Sequence, residues 1–314
     1  MSEITLFRIA GGKAVELPPH APDLEKPLQT LIEDNLDAVL GIRFLATEYS
    51  TGKTHAGRID TLGIDENDCP VILEYKRSAG ENVINQGLFY LNWLMDHQAE
   101  FKLLVLERYG KASATAIDWS APRLICIASD FTKYDGHAVQ QMNRNIELVR
   151  YRKFGQDLLL LELVNAVSTI AKVPGSKATK SNAAMLAGKK GTGKDKTVAQ
   201  WFADLSPPLA SLFATLEGYA VSLGDDVQRK DLRLYVAFKR LKNFMTVVFQ
   251  KDRLVVYLRL DPDMVNLSDG FSRDVRQIGH WGTGGLELSV ATAEDLERAK
   301  PLIALAYEGG RRAR

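Results

Sequence analysis

The sequence has little cysteine and no long apolar run. Its two cysteines, Cys69 and Cys126, form no Cys-x-x-Cys pair, which excludes a disulfide-stapled scaffold and a cysteine-based zinc site. No apolar run approaches the roughly 18 residues that span a bilayer. The N-terminal stretch MSEITLFRIAGGK has neither the basic start nor the apolar core of a signal peptide. We therefore expect a cytoplasmic protein with no membrane partner.

Net charge is also small, at +1, but the charges are unevenly spread. Residues 1–171 hold 17 Lys and Arg against 23 Asp and Glu, whereas residues 172–197 hold seven Lys against Asp195. The second segment is rich in Lys, Gly, Ser, Thr and Ala and lacks periodicity, so we interpret it as a flexible cationic linker. At 314 residues the chain is expected to form two domains, 1–171 and 198–314, around this linker.

Helical and strand patterns alternate through residues 1–171, which predicts an α/β domain with a mixed sheet. The pattern predicts a first helix with an apolar stripe from Leu28 to Val39, a second helix over 81–98, and strands at about 43–49, 56–64, 70–77, 101–109 (FKLLVLERY) and 122–129 (PRLICIAS). Residues 198–314 are expected to form a second, smaller α+β domain that closes with a helix over 293–308.

The strand PVILEYKRS, residues 70–78, carries charges within an apolar run. Glu74 and Lys76 share one strand face, and a buried strand does not normally place a carboxylate and an ammonium two residues apart without a reason. The preceding IDENDCP has turn chemistry, and a hairpin symmetric about Asn67 places Asp60 opposite Glu74 and Arg58 opposite Lys76. Opposed carboxylates are compensated by a divalent cation, and oxygen ligands suit Mg²⁺ or Mn²⁺.

This hairpin predicts a phosphodiester-hydrolysing site. Asp60, Glu74 and the backbone carbonyl of Tyr75 would hold the metal, which would polarise a phosphodiester and activate a bound water. Lys76 would orient or deprotonate that water, or stabilise the charge developing on phosphorus. The alternative is an exposed ion-pair network on a surface hairpin.

Asp60, followed after a strand and turn by Glu74-Tyr75-Lys76, resembles the PD-(D/E)XK nuclease signature, with Ile59 where the motif has proline. The stretches GRIDTLGIDENDCPVILEYKR and NVINQGLFYL resemble parts of the nuclease domain of NucS-type endonucleases. The resemblance covers about residues 20–170. It implies a restriction-endonuclease-like fold, dependence on Mg²⁺ (or Mn²⁺), and DNA as the nucleic-acid partner. It is also compatible with a homodimer.

Two residues of the second predicted helix are expected to support the site. Gln86 and Tyr90 lie four apart on one helical face, a spacing similar to the extra motif of RecB-like members. They would reach the site or a substrate phosphate. The alternative is an ordinary helix flank with a half-buried tyrosine.

Other charged residues are expected near the pair. Glu33 of the first helix would add another catalytic carboxylate, with Glu25 and Glu48 as competitors for that role. Arg58 would contact substrate phosphate, although an ion pair with Glu48 or Asp60 is equally compatible with the sequence.

Residues 205–310 resemble an uncharacterised bacterial domain labelled "predicted transport protein", through YVAFKRLKNFMTVVFQKDRLVVYL and GHWGTGGLEL. The stretch VQRKDLRLYVAFKRLKNF interleaves basic residues with Tyr235, Phe238 and Phe244, which suits phosphate contact and base stacking. The alternative is solvated lysines around core aromatics.

The leading hypothesis is a Mg²⁺-dependent DNA endonuclease with a C-terminal recognition or regulatory domain. NucS proteins carry a separate DNA-binding domain before the nuclease domain, and about twenty residues precede the first predicted helix here. Substrate choice is therefore expected to fall to the second domain, the linker or another protein. The rival is a catalytically silent nucleic-acid-binding or regulatory protein that keeps the nuclease fold. A third alternative, a membrane-transport component, is supported by no motif in the sequence.

Overall fold

The computed structural model describes residues 4–19, 25–77, 83–142, 144–155, 157–167 and 196–309. The chain divides into two compact units, the first of residues 1–117 and 122–167, the second of residues 118–121 and 168–314. The predicted linker 172–197 lies outside the described residues except for Lys196 and Thr197, and the hydroxyl of Thr197 caps the first helix of the second unit.

The first unit contains eight strands and six helices among its described residues. The strands are β1 (Leu6–Ala10), β2 (Lys13–Leu17), β3 (Ile42–Ser50), β4 (Arg58–Asp65), β5 (Pro70–Lys76), β6 (Arg123–Ala128), β7 (Asn145–Phe154) and β8 (Leu158–Val167). The helices are α1 (Glu25–Asp34), α2 (Leu36–Leu40), α3 (Gly52–His55), α4 (Val83–Asp96), α5 (Gln98–Ala116) and α6 (Lys133–Gln141).

Six of these strands form a mixed sheet in the order β3-β4-β5-β6-β7-β8, with β5, β6 and β7 parallel and the other pairs antiparallel. The β4–β5 hairpin pairs Thr61 with Leu73 and Ile64 with Pro70, which confirms the register predicted from the turn. Helix α1 packs against β4 and β5, and α4 packs against β5 and β6. The predicted mixed-sheet α/β class is confirmed.

The prediction of a strand over 101–109 is wrong, because this stretch lies inside helix α5. Phe101 and Val105 are buried four residues apart, while Leu103 is exposed, so the apolar run has a helical buried face. The hydroxyl of Tyr109 donates to the Phe44 carbonyl of β3 at 2.6 Å. The helix thus contacts the edge strand β3, and the sequence does not reveal this contact.

The predicted helical stripes are only partly buried. The first helix is divided at Asn35 into α1 and α2, and Leu31 of its predicted stripe is 38% exposed. In α4 the buried face includes Trp93 and Leu94, while Met95 of the predicted stripe is exposed.

The second unit is an α+β structure. Its described elements are α7 (Val198–Asp204), α8 (Pro207–Ser222), β9 (Gln228–Asp231), β10 (Val236–Lys239), β11 (Asn243–Phe249), β12 (Leu254–Leu258), a 3₁₀ turn (Pro262–Met264), β13 (Ser272–Asp274), β14 (Leu286–Val290) and α9 (Ala293–Tyr307). The strands form one antiparallel sheet in the order β13-β14-β12-β11-β10-β9. One sheet face builds an apolar core with α8 and α9. None of the helices in the described parts of the chain has the length and apolar character to cross a membrane.

Candidate active site

The sheet ladder breaks on both sides of Asp60. On one side the β4–β5 pairing ends at Thr61–Leu73, one residue short of Asp60. On the other side the β3–β4 pairing runs through Thr47–Thr61 and resumes at Tyr49–Ile59, omitting Glu48 opposite Asp60. Asp60 is therefore flanked in register by Glu48 and Glu74, so three neighbouring strands place an acidic residue in one row.

Side-chain and main-chain groups of the Asp60–Glu74 pair replace the missing ladder bonds. The Tyr75 N–H donates to Asp60 Oδ2 at 3.0 Å, and the Asp60 N–H donates to Glu74 Oε1 at 3.3 Å. Glu74 is fully buried, and its Oε2 has no hydrogen-bond partner within the described part of the chain. A buried carboxylate oxygen without a partner is costly, so this position favours a proton or a cation.

The electrostatics of the pair agree with this geometry. Burial, together with the neighbouring Asp60 charge, raises the pKa of the Glu74 carboxyl to about 9. Burial also raises the pKa of Asp60, against the opposing effects of the Tyr75 N–H and the Lys76 charge. In the absence of a cation, Glu74 is therefore protonated at neutral pH, and cation binding must displace that proton.

The residues present fit a small divalent cation with retained water. Strand geometry places the Tyr75 carbonyl on the same edge of β5 as its N–H, beside Asp60. The orphaned Oε2 of Glu74 completes a set of oxygen donors, and Mg²⁺ is held in many proteins by one or two carboxylates with several waters. Among the described residues, no group of three or more His, Cys, Asp and Glu side chains is arranged to hold a metal ion.

Lys76 lies at the end of β5 beside the pair, and its charge acts on both carboxyl groups. Its side chain is 15% exposed, and its Nζ lies 3.5 Å from Glu25 Oε2 of α1. Glu25, which competed with Glu33 in the sequence pattern, is thus the α1 carboxylate that contacts the predicted catalytic lysine.

Arg58 pairs with Glu48 rather than facing Lys76. Its guanidinium lies 2.5 Å from Glu48 Oε2, and its side chain is 67% exposed at the rim of the acidic row. Lys26 also contacts Glu48, at 3.1 Å. Burial would raise the pKa of Glu48, but Lys26 and Arg58 together lower it.

Gln86 and Tyr90 are brought together on α4, where Gln86 Nε2 donates to the Tyr90 hydroxyl at 3.3 Å. Tyr90 is buried against Gly57, and its hydroxyl accepts the Arg58 N–H at 3.1 Å. Tyr90 therefore anchors the start of β4 through the main chain. Its contact with substrate stays a prediction.

Glu33 is not brought to the acidic row. Its carboxylate accepts from the Thr61 hydroxyl at 2.5 Å and from Gln29 Nε2 at 3.0 Å. Because Thr61 and Asp60 are adjacent on a strand, their side chains point to opposite faces of the sheet. Glu33 therefore lies beneath the row, where it supports β4, and its role as a catalytic carboxylate stays a prediction.

Gln29 contacts the acidic row through the Asp60 carbonyl, and the sequence pattern did not predict this contact. It is buried on the same face of α1 as Leu28 and Ile32, and its Nε2 lies 2.7 Å from the Asp60 carbonyl. A polar residue on the buried stripe of an amphipathic helix is the signal that could have found it.

Two aromatic side chains of the stretch 227–244 are buried, and two of its arginines pair with carboxylates. Phe238 and Phe244 belong to the apolar core. Arg229 is held by Glu217 and Asp231, and Arg240 by Asp226. The core aromatics of the alternative are thus present, but Lys230 and Lys239 are buried rather than solvated, and contact of this stretch with nucleic acid stays a prediction.

A family model described as a domain of unknown function (DUF5655) matches residues 198–309. An uncharacterised protein of Haemophilus influenzae is 26% identical over 300 residues, covering 95% of this chain and 97% of that protein.

Two solved structures share partial similarity with the chain. A repair endonuclease from Pyrococcus abyssi matches at 20% identity and a TM-score of 0.28, over 41% of this chain and 47% of that one. An EndoMS–double-stranded DNA complex matches at 20% identity and a TM-score of 0.24, over 40% and 44%. The chain spans less than half the length of either solved structure.

Proposed function

We propose that the first unit is a PD-(D/E)XK-type nuclease domain that hydrolyses phosphodiester bonds, with DNA as its substrate and Mg²⁺ or Mn²⁺ as its cofactor. The observation that carries the proposal is the buried Asp60–Glu74 pair at a break in the sheet, with an orphaned Glu74 oxygen and Lys76 alongside. A purely structural surface ion pair would keep its carboxylates in solvent and would not require two of them to be buried together.

Asp60 and Glu74 would hold the cation, with the Tyr75 carbonyl as a further oxygen ligand. When bound, the cation would polarise the phosphodiester and lower the pKa of its water. Lys76 would orient the attacking water and stabilise the charge gained by the phosphate oxygens as the P–O bond to the leaving group breaks. Glu25 would hold the Lys76 ammonium at the rim between turnovers.

The second unit is proposed to serve substrate recognition or regulation. Arg229 and Arg240 of the stretch 227–244 pair with carboxylates, so recognition would use other basic residues of that unit or the cationic segment.

The test is a cleavage assay of the full chain on single-stranded, branched and mismatched DNA, with RNA for comparison, in Mg²⁺ and in Mn²⁺. We expect cleavage by the wild type, loss to background in Asp60→Asn and Glu74→Gln, and a fall of roughly 10²- to 10⁴-fold in Lys76→Met. Glu162→Gln is the matched control, since Glu162 is a partly buried carboxylate of the same sheet that pairs with Arg150. It should cut at the wild-type rate.

A wild type that cuts none of these substrates, or an Asp60→Asn variant that cuts normally, would overturn the proposal. Retained DNA binding by a wild type that does not cut would instead identify a catalytically silent binding protein.

A further inference from the structure

The Gln29 side chain reaches from α1 into the sheet at the position of the acidic row. It is 3% exposed, and its Nε2 lies 2.7 Å from the Asp60 carbonyl, 3.1 Å from Thr47 Oγ1 and 3.0 Å from Glu33 Oε1. The contact with Asp60 is the shortest of the three. One buried amide thus joins the main chain of the predicted metal-binding residue to the helix beneath it.

The local shape of β3 explains why a side chain is needed there. Glu48 has φ +50°, a left-handed conformation that is uncommon for a residue other than glycine, and the β3–β4 ladder omits the Glu48–Asp60 pair. A strand carbonyl left without its ladder donor and buried must find another donor. Gln29 supplies it.

We propose that Gln29 is the positioning residue of the site: its amide fixes the Asp60 main chain, and thereby the carboxylate, in the orientation that binds the cation. The inference rests on the proposed function. With the carbonyl held by Gln29 and Oδ2 held by the Tyr75 N–H, the Asp60 residue is restrained on its main-chain and side-chain groups. Such supporting hydrogen bonds tune the affinity of a metal site.

The test compares Mn²⁺ binding by the full-length wild type, Gln29→Met and Thr47→Val, measured by calorimetry and by the electron paramagnetic resonance signal of free Mn²⁺. Gln29→Met keeps the side-chain length and removes the amide. We expect its Mn²⁺ dissociation constant to rise roughly 10- to 100-fold. Thr47→Val is the matched control, because it removes another contact of the same amide and leaves the Asp60 contact in place. Its Mn²⁺ affinity should match that of the wild type.

A Gln29→Met variant that is less stable but binds Mn²⁺ like the wild type would show that Gln29 has only a structural role. Should this variant fail to fold, Gln29→Asn takes its place, since it keeps a buried amide but is one methylene too short to reach Asp60. It should show the same loss of affinity, and wild-type affinity in it would equally overturn the inference. Failure of the proposed function is distinguishable, because then the wild type and Asp60→Asn would bind Mn²⁺ alike.

Discussion

Glu74 is the side chain at which burying negative charge in the proposed site costs the most free energy. It is fully buried, it faces another carboxyl group, and one of its oxygens has no partner within the described residues. A proton relieves this cost in the metal-free protein, which is why burial and Asp60 raise the pKa of Glu74 to about 9. A cation would relieve it in the bound state, so proton and cation compete for one position.

This competition predicts a pH-dependent stability for the metal-free protein. Glu74 has a pKa near its ordinary value when unfolded and about 9 when folded, so its contribution to stability is full below about pH 4.5 and is lost as the pH rises toward 9. Between pH 6 and 8 the folded state binds one more proton than the unfolded state. The free energy of unfolding therefore falls by up to about 1.4 kcal/mol for each unit by which the pH rises. Glu74→Gln should flatten this slope in urea denaturation with EDTA present.

The matched control is Glu25→Gln, which removes an accessible carboxylate at the same rim. It should keep the wild-type slope. A slope that survives in Glu74→Gln would place the titrating proton on another group and contradict the description of Glu74 as protonated at neutral pH.

At the scale of elements, the turn of β3 at Glu48 distinguishes this sheet from a regular one. Its left-handed backbone takes Glu48 out of the ladder and leaves its carboxylate to Lys26 and Arg58. A residue with a Cβ in this conformation costs roughly 1–2 kcal/mol relative to glycine. The backbone of β3 is thus strained at the break in the β3–β4 ladder beside Asp60, where the predicted site lies.

We therefore predict that the glycine and alanine variants at position 48 have the reverse of their usual order of stability in a strand. Glu48→Gly and Glu48→Ala both lose the ion pairs, but only Ala retains the strained Cβ. Glu48→Gly should be more stable than Glu48→Ala by about 1 kcal/mol in urea denaturation, whereas in a regular strand glycine is the less stable residue by a similar amount. The same pair at Thr47, which has a ladder partner, is the control and should show the regular order.

If Glu48→Ala proves the more stable of the two, the left-handed turn carries no strain. The opening beside Asp60 would then need another explanation, such as the Gln29 amide drawing β4 toward α1.

The elements that sequence could predict are those specified locally. Turn residues around Asn67 and strand alternation define the β4–β5 register, so the Asp60–Glu74 opposition follows from a few neighbouring residues. Helix α5 and the position of Glu33 depend instead on contacts between distant segments: Tyr109 with β3, and Glu33 with Thr61. Spacing alone could place Glu33 on a helix flank but could not say which face of the sheet that flank would meet.

For the whole molecule, the distribution of charge limits how the proposed nucleic-acid substrate would bind. Residues 1–171 have more Asp and Glu than Lys and Arg, 23 against 17, and the proposed site itself is an acidic row. An acidic surface repels phosphates, so the proposed cation and positive side chains elsewhere would have to attract the proposed substrate. Residues 172–197 hold seven Lys against one Asp, a balance of +6.

We therefore predict that this segment contributes most of the salt-dependent affinity for DNA. In a full-length Asp60→Asn background, four lysines are replaced by glutamine: Lys172, Lys177, Lys180 and Lys190. Each phosphate contact that is lost lowers the slope of log affinity against log salt by about 0.7–0.9. The slope from equilibrium titrations at several salt concentrations should therefore fall by up to about 3.

The control replaces four exposed lysines of the first unit by glutamine: Lys53, Lys102, Lys111 and Lys133. The two variants carry the same net charge, so a slope that falls equally in both would mean that overall charge, not the segment, attracts DNA. A slope unchanged in the segment variant would place the phosphate contacts outside residues 172–197 and contradict the prediction. Only a fall confined to the segment variant shows that an acidic catalytic unit relies on a cationic segment for its substrate.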